Sequence, residues 1–127
     1  PFPRKPVDYT GVQADITTPF ALDLTVPPWS DDLAWTDPDD YEPCLKLAEE
    51  ARTAGAEIIR YVSVRHPDQA DNAAVLTCAA FQQPAPIAAQ TWTILYAERI
   101  IRATCETTRQ RYMLVKDGAK LAFWASG

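Results

Sequence analysis

The chain has 127 residues, 47% of them hydrophobic and 23% charged, the balance of a single globular domain able to bury its own core. A net charge of -5 and a pI near 4.7, with no basic run anywhere, exclude a nucleic-acid footprint. No apolar run approaches the ~18–20 residues that a membrane span needs, and no signal-peptide pattern is present. Cys44, Cys78 and Cys105 are widely spaced and form no CxxC pair, so the expected setting is a reducing cytoplasm.

The opening Pro1-Phe2-Pro3-Arg4-Lys5-Pro6 has too few backbone donors for a ladder and is expected to be irregular. It lacks an initiator methionine, and Met113 is the sole methionine, so a fragment, a processed product or a trimmed piece is expected. Val12 to Ile16 alternates apolar and polar residues as a half-exposed strand does, and Leu22 to Thr25 repeats the pattern. Pro27-Pro28 ends it, and Trp29 to Trp35 reads as a loop or short helical turn.

Asp37-Pro38-Asp39-Asp40 sets carboxylates where helix amides are unpaired and the macrodipole is positive. Pro43 fits a first turn, and Tyr41, Cys44, Leu45, Ala48 and Ala51 form an apolar stripe. Gly55 supplies a left-handed cap, so a helix is predicted from Tyr41 to Ala54. Two apolar strands follow, "AEIIRYVSVRHP" (56–67) and Asn72 to Cys78, both short enough to be central and separated by a turn at His66-Pro67-Asp68. Pro84-Ala85-Pro86 reads as a linker. The remainder is β-rich: Trp92 to Tyr96, Ile100 to Cys105, Arg111 to Val115, then an Asp117-Gly118 hairpin returning through Leu121 to Trp124. The predicted class is α/β (α+β): a mostly β, mixed sheet with one major helix, and no second domain boundary.

Few residues offer chemistry. One histidine and three scattered cysteines make no metal set, and the Asp37, Asp39, Asp40 cluster lacks calcium-loop spacing, so it reads as capping. His66 has neither nucleophile nor orienting carboxylate in a recognisable motif and reads as a solvated turn residue. Four scattered glycines build no phosphate cradle. The four tryptophans read as core rather than as stacking platforms, and Cys44 as an inert buried thiol. Strict alternation puts Tyr61, Ser63 and Arg65 on one strand face, with Arg60 opposite as a structural residue. That trio suits a ring-bearing, phosphate-bearing ligand, or equally an ordinary sheet face whose arginine reaches solvent.

The order and spacing of "WTDPDDYEPCLKLAEEARTAGAEIIRYVSVRHPDQADNAAVLTCAAF" (35–81), flanked by "ALDLTVPPW" (21–29) and "QTW" (90–92), resembles the C-terminal part of RES-domain proteins. The resemblance runs from about Pro1 to Cys105. It implies that 1–127 is the C-terminal part of a single RES-like domain, ADP-ribosyltransferase-like in fold and incomplete without an upstream RES segment. It implies a toxin that cleaves the nicotinamide–ribose bond of NAD or transfers ADP-ribose, without a metal, and is neutralised by an Xre-type helix-turn-helix antitoxin. Ser63 matches the family's serine and would be the catalytic residue, with Tyr61 and Arg65 as NAD-binding companions. The family's arginine and glutamate lie upstream, and neither Arg4 nor Glu57 matches them. Two readings compete with the enzyme: an inactive or truncated RES scaffold that binds a protein partner, and a plain structural domain. Homo-oligomerisation, the acceptor of ADP-ribose and the role of the C-terminal hairpin are left open.

Overall fold

In a computed structural model, which describes residues 5–66, 68–117 and 120–126, the β-branched and aromatic runs form two sheets rather than one. The chain divides into two compact units: Asp15–Gln82, and the segments before and after it taken together. The architecture is mixed α/β, dominated by strands with one major helix.

In the unit formed by the flanking segments, β1 (Val7–Gln13), β5 (Ala88–Tyr96), β6 (Ile100–Cys105), β7 (Arg111–Asp117) and β8 (Lys120–Ser126) make an antiparallel sheet in that order. β1 starts five residues earlier than alternation predicts. Its ladder with β5, from Val7 opposite Ile94 to Gln13 opposite Ala88, carries Asp8 and Thr10 into the strand. Thr93 donates its hydroxyl to Asp8 Oδ1 at 2.9 Å across that ladder. Ile16 makes only an isolated bridge to Phe81. At Gly11 an added Cβ would sit 3.1 Å from the Trp92 indole, so the glycine lets that ring lie against the backbone. Trp92 also meets Tyr112, ring centroids 5.7 Å apart. The hairpin strands pair as expected, Asp117 opposite Lys120, while the Gly118-Ala119 turn lies outside the described residues, as do Arg4 and Pro67.

In the unit Asp15–Gln82, β2 (Ala21–Asp23) runs parallel to β3 (Ile58–Val62), and β4 (Asp71–Val75) runs antiparallel to it. Only β3 is therefore central; β4, expected to be equally buried, is an edge. Helix α1 (Glu42–Thr53) falls within a residue of its predicted ends. Its entry is held by Asp37 Oδ1, which accepts the Asp39 and Asp40 amides at 2.9 and 3.1 Å, and by Asp40 Oδ1, which accepts the Glu42 amide at 3.1 Å. The carboxylates thus order the approach turn, while Tyr41 occupies the cap position itself. At the far end the Gly55 amide donates to the Arg52 carbonyl at 3.1 Å and the Ala56 amide to the Ala51 carbonyl at 2.9 Å, a Schellman closure with Gly55 at φ +89°.

Nothing lies within 4 Å of a Cβ added at Gly55, so its cost on substitution is purely conformational. Gly55→Ala is expected to lower unfolding free energy by about 1–2 kcal/mol in urea titrations. An unchanged or higher midpoint would contradict the left-handed cap.

The core of this unit is Leu24, Ala51 and Ile59, with Leu22, Trp35, Leu47, Ala48 and Tyr61 packed around it. The helix stripe differs from expectation at one position. Leu45 is 62% exposed and Leu47 takes its place, because the face that meets the sheet runs through Cys44, Leu47, Ala48 and Ala51.

Candidate functional site

Adjacent residues of β3 face opposite sides of the sheet, so Ile58 and Ile59 are buried on different faces, at 7% and 5% exposure. Ile59 and Tyr61 look toward the helix side, where they line a cavity of about 310 Å³ together with Leu24, Trp35, Tyr41 and Val64. Asp37 and Cys44 complete its polar margin. Three aromatic rings in a mostly apolar wall make it a receptacle for a flat ring.

The alternation that put Tyr61, Ser63 and Arg65 in a row stops at Val62, where the strand ends. The Ser63 amide still donates to the Ala70 carbonyl at 2.8 Å, in register with the β3–β4 ladder, and the backbone bends from Val64 onward. As a result Val64, expected on the opposite face, joins Tyr61 in the cavity wall, and Ser63 lies between them in sequence without lining it. Ser63 is half-buried, and its hydroxyl makes no hydrogen bond with any described residue. Arg65 returns to the same neighbourhood by another route: its Nη2 donates to the Tyr41 hydroxyl at 2.8 Å. The structure thus brings Tyr61 and, through Tyr41, Arg65 to one cavity.

Residues on the margin divide by their surroundings. Two backbone amides, Asp39 first, hold the Asp37 carboxyl below its ordinary value. Burial pushes the half-buried Cys44 thiol up, with Asp40 and Asp37 adding to the rise. The indole Nε1 of Trp35 is buried without a hydrogen-bond partner among the described residues. Trp35 also meets Trp29, ring centroids 6.1 Å apart and tilted by 54°.

On the opposite face Arg60 is structural, as expected. Its Nε donates to Asp71 Oδ2 at 2.9 Å, its Nη2 contacts the same oxygen, and its Nη1 reaches Asp23 Oδ2 at 3.3 Å. Those carboxylates, Asp71 foremost, raise the arginine's pKa. Hydrogen bonds from Thr25, and then Arg60, keep Asp23 low. Glu57 accepts the Thr18 hydroxyl at 2.8 Å, also a local structural role. His66 lies in its predicted turn, where Nδ1 accepts the Asp68 amide at 3.1 Å.

Trp35 and Tyr41 are the site residues that periodicity misses, since one reads as loop core and the other as helix stripe. Their signal was available only as the run Trp35-x-Asp37-x-x-x-Tyr41, an aromatic pair straddling a helix entry. Among the described residues no group of three or more His, Cys, Asp or Glu is arranged to hold a metal ion, and no helix is long and apolar enough to cross a membrane.

A comparison with protein-family profiles matches residues 1–97 to the family described as the RES domain. No curated protein matches the chain.

Proposed function

The chain belongs to the RES domain family, whose members are often NAD-related enzymes, and from that premise we propose that it is part of a toxin that consumes NAD. In this reading the chain supplies the C-terminal part of an ADP-ribosyltransferase-like domain, and an upstream RES segment supplies the family's arginine and glutamate.

The reaction breaks the bond between the nicotinamide nitrogen and ribose C1′. The bonding pair leaves with the ring, which departs neutral from a cationic state, so no general acid is needed. Positive charge builds at C1′, where the upstream carboxylate stabilises it electrostatically. The Ser63 hydroxyl hydrogen-bonds a ribose hydroxyl or the nicotinamide amide and holds the scissile bond in line. Tyr61 contributes a ring face and Arg65 a guanidinium for the phosphates. Water, phosphate or a protein side chain then captures C1′.

The observation that supports this reading is that Ser63 falls within the matched region with an unengaged hydroxyl, next in sequence to Val64 of the aromatic-walled cavity though not itself lining it. An Xre-type helix-turn-helix protein acts as antitoxin. Inducing the complete RES protein in bacteria is expected to lower cellular NAD, and co-expressing the antitoxin to restore it. Unchanged NAD with persistent co-purification of the antitoxin would instead identify an inactive scaffold.

A further inference from the structure

The cavity beside β3 stands at the lower end of the roughly 300–1,000 Å³ typical of ligand sites, room for one ring system but not for a whole dinucleotide. One of its lining rings sits in an unexpected place. Tyr41 occupies the cap position of α1, where short polar side chains are preferred, and its side chain makes no capping bond. Asp37 and Asp40 hold the helix entry instead. A phenyl ring would line the cavity equally well, so the hydroxyl is explained only by its one described partner. That partner is Arg65, whose Nη2 donates to it at 2.8 Å. Val64, next to Arg65 in the chain, lines the same cavity, so the arginine is tied to the rim through its chain neighbour and through its guanidinium.

Arg60, five positions earlier, is neutralised by Asp71 and Asp23. Arg65 has no carboxylate partner among the described residues, and Asp37, on the same cavity margin, gives Oδ1 to the Asp39 and Asp40 amides. The contact with Tyr41 uses one N–H of the guanidinium fork and leaves the others open. The Tyr41 oxygen accepts in that contact, so its own proton is free to donate onward. Two adjacent donors, one of them cationic, on the rim of a ring-sized cavity suit an oxyanion attached to the ring.

We propose that the Tyr41 hydroxyl and Arg65 form one phosphate anchor, and that the ligand this cavity selects is a phosphorylated nucleoside rather than a free base or nucleoside. Tyr41 has two duties: its oxygen keeps the guanidinium at the rim, and its proton donates to the phosphate. The inference deepens the NAD reading and rests on it for the source of the ligand, since each half of NAD is a nucleoside monophosphate.

The test titrates the full 127-residue chain, at fixed ionic strength, with AMP against adenosine and with nicotinamide mononucleotide against its riboside. Within each pair only the phosphate differs. At least one mononucleotide is expected to bind about tenfold more tightly than its nucleoside. Arg65→Ala should bring that pair within about twofold. Tyr41→Phe, which keeps the ring, should weaken the mononucleotide about 3- to 10-fold and leave the nucleoside within about twofold. In the Arg65→Ala background Tyr41→Phe should weaken the mononucleotide less than in the wild type, because the two groups hold one phosphate. The proposal is overturned if neither mononucleotide binds better than its nucleoside, or if Tyr41→Phe weakens both members of a pair alike. Should Tyr41→Phe fail to fold, the exposed Arg65 decides: a phosphate preference that survives Arg65→Ala overturns the anchor. NAD consumption by the complete protein without a phosphate preference here would overturn this inference and leave the NAD reading standing. A preference that depends on Tyr41 and Arg65, without NAD consumption, would support it while the NAD reading fails.

Discussion

On the proposed NAD reading, replacing Ser63 by alanine is expected to lower NAD consumption by the complete protein about 10- to 100-fold without loss of the fold. The separation is possible because the native contact of Ser63 is made by its backbone: the amide donates to the Ala70 carbonyl at 2.8 Å, and alanine keeps that bond. The hydroxyl engages no described residue, so its removal orphans no protein group and should change stability by less than about 0.5 kcal/mol. A positioning hydroxyl acts on the geometry of the bound substrate, so the loss should appear mainly in kcat. A loss of activity matched by a fall in thermal midpoint would mean that Ser63 serves structure, and full activity would remove it from the site.

Ile59→Ala should produce the largest change in stability, about 2–5 kcal/mol. Ile59 is 5% exposed on the central strand of its sheet and belongs to the cluster with Leu24 and Ala51. It also borders the existing cavity, so truncation enlarges a void that Trp35, Leu47 and Tyr61 are already placed to surround. Set against a total stability of roughly 5–15 kcal/mol for a typical domain, this is a large fraction. Denaturant titration checks it: a change below about 1 kcal/mol would show that the cavity collapses freely and that its walls are not fixed. Ile59→Val, which keeps the branched carbon, should cost only about 0.5–1.5 kcal/mol.

What could be read from the sequence follows the range of the interactions involved. Helix α1 was legible because its stripe, entry carboxylates and Gly55 cap all act within a turn or two of chain. β6 was legible to the residue, Ile100 to Cys105, because Ile100, Ile101 and Thr104 favour extended backbone without needing a partner to identify it. β1 was not, since Asp8 and Thr10 become strand only by pairing with β5, some eighty positions away. The division into two sheets was hidden for the same reason: β2 is three residues long and is defined by a parallel partner across the helix.

The site shows the same contrast. Strand periodicity put Tyr61, Ser63 and Arg65 on one face, and the family resemblance singled out Ser63 among them. Alternation misplaces Val64, because the β3–β4 ladder runs out after Ser63 and the backbone bends from Val64 to His66. Trp35 and Tyr41 needed three separated segments to meet around Ile59 before their role was visible.

Proton NMR of purified complete protein mixed with NAD addresses the enzymatic reading without intermediaries, because it resolves free nicotinamide from the dinucleotide. Nicotinamide should accumulate as NAD disappears at micromolar protein, and Ser63→Ala should suppress that release. NAD that stays intact under the same conditions, with the wild-type protein folded, would contradict it.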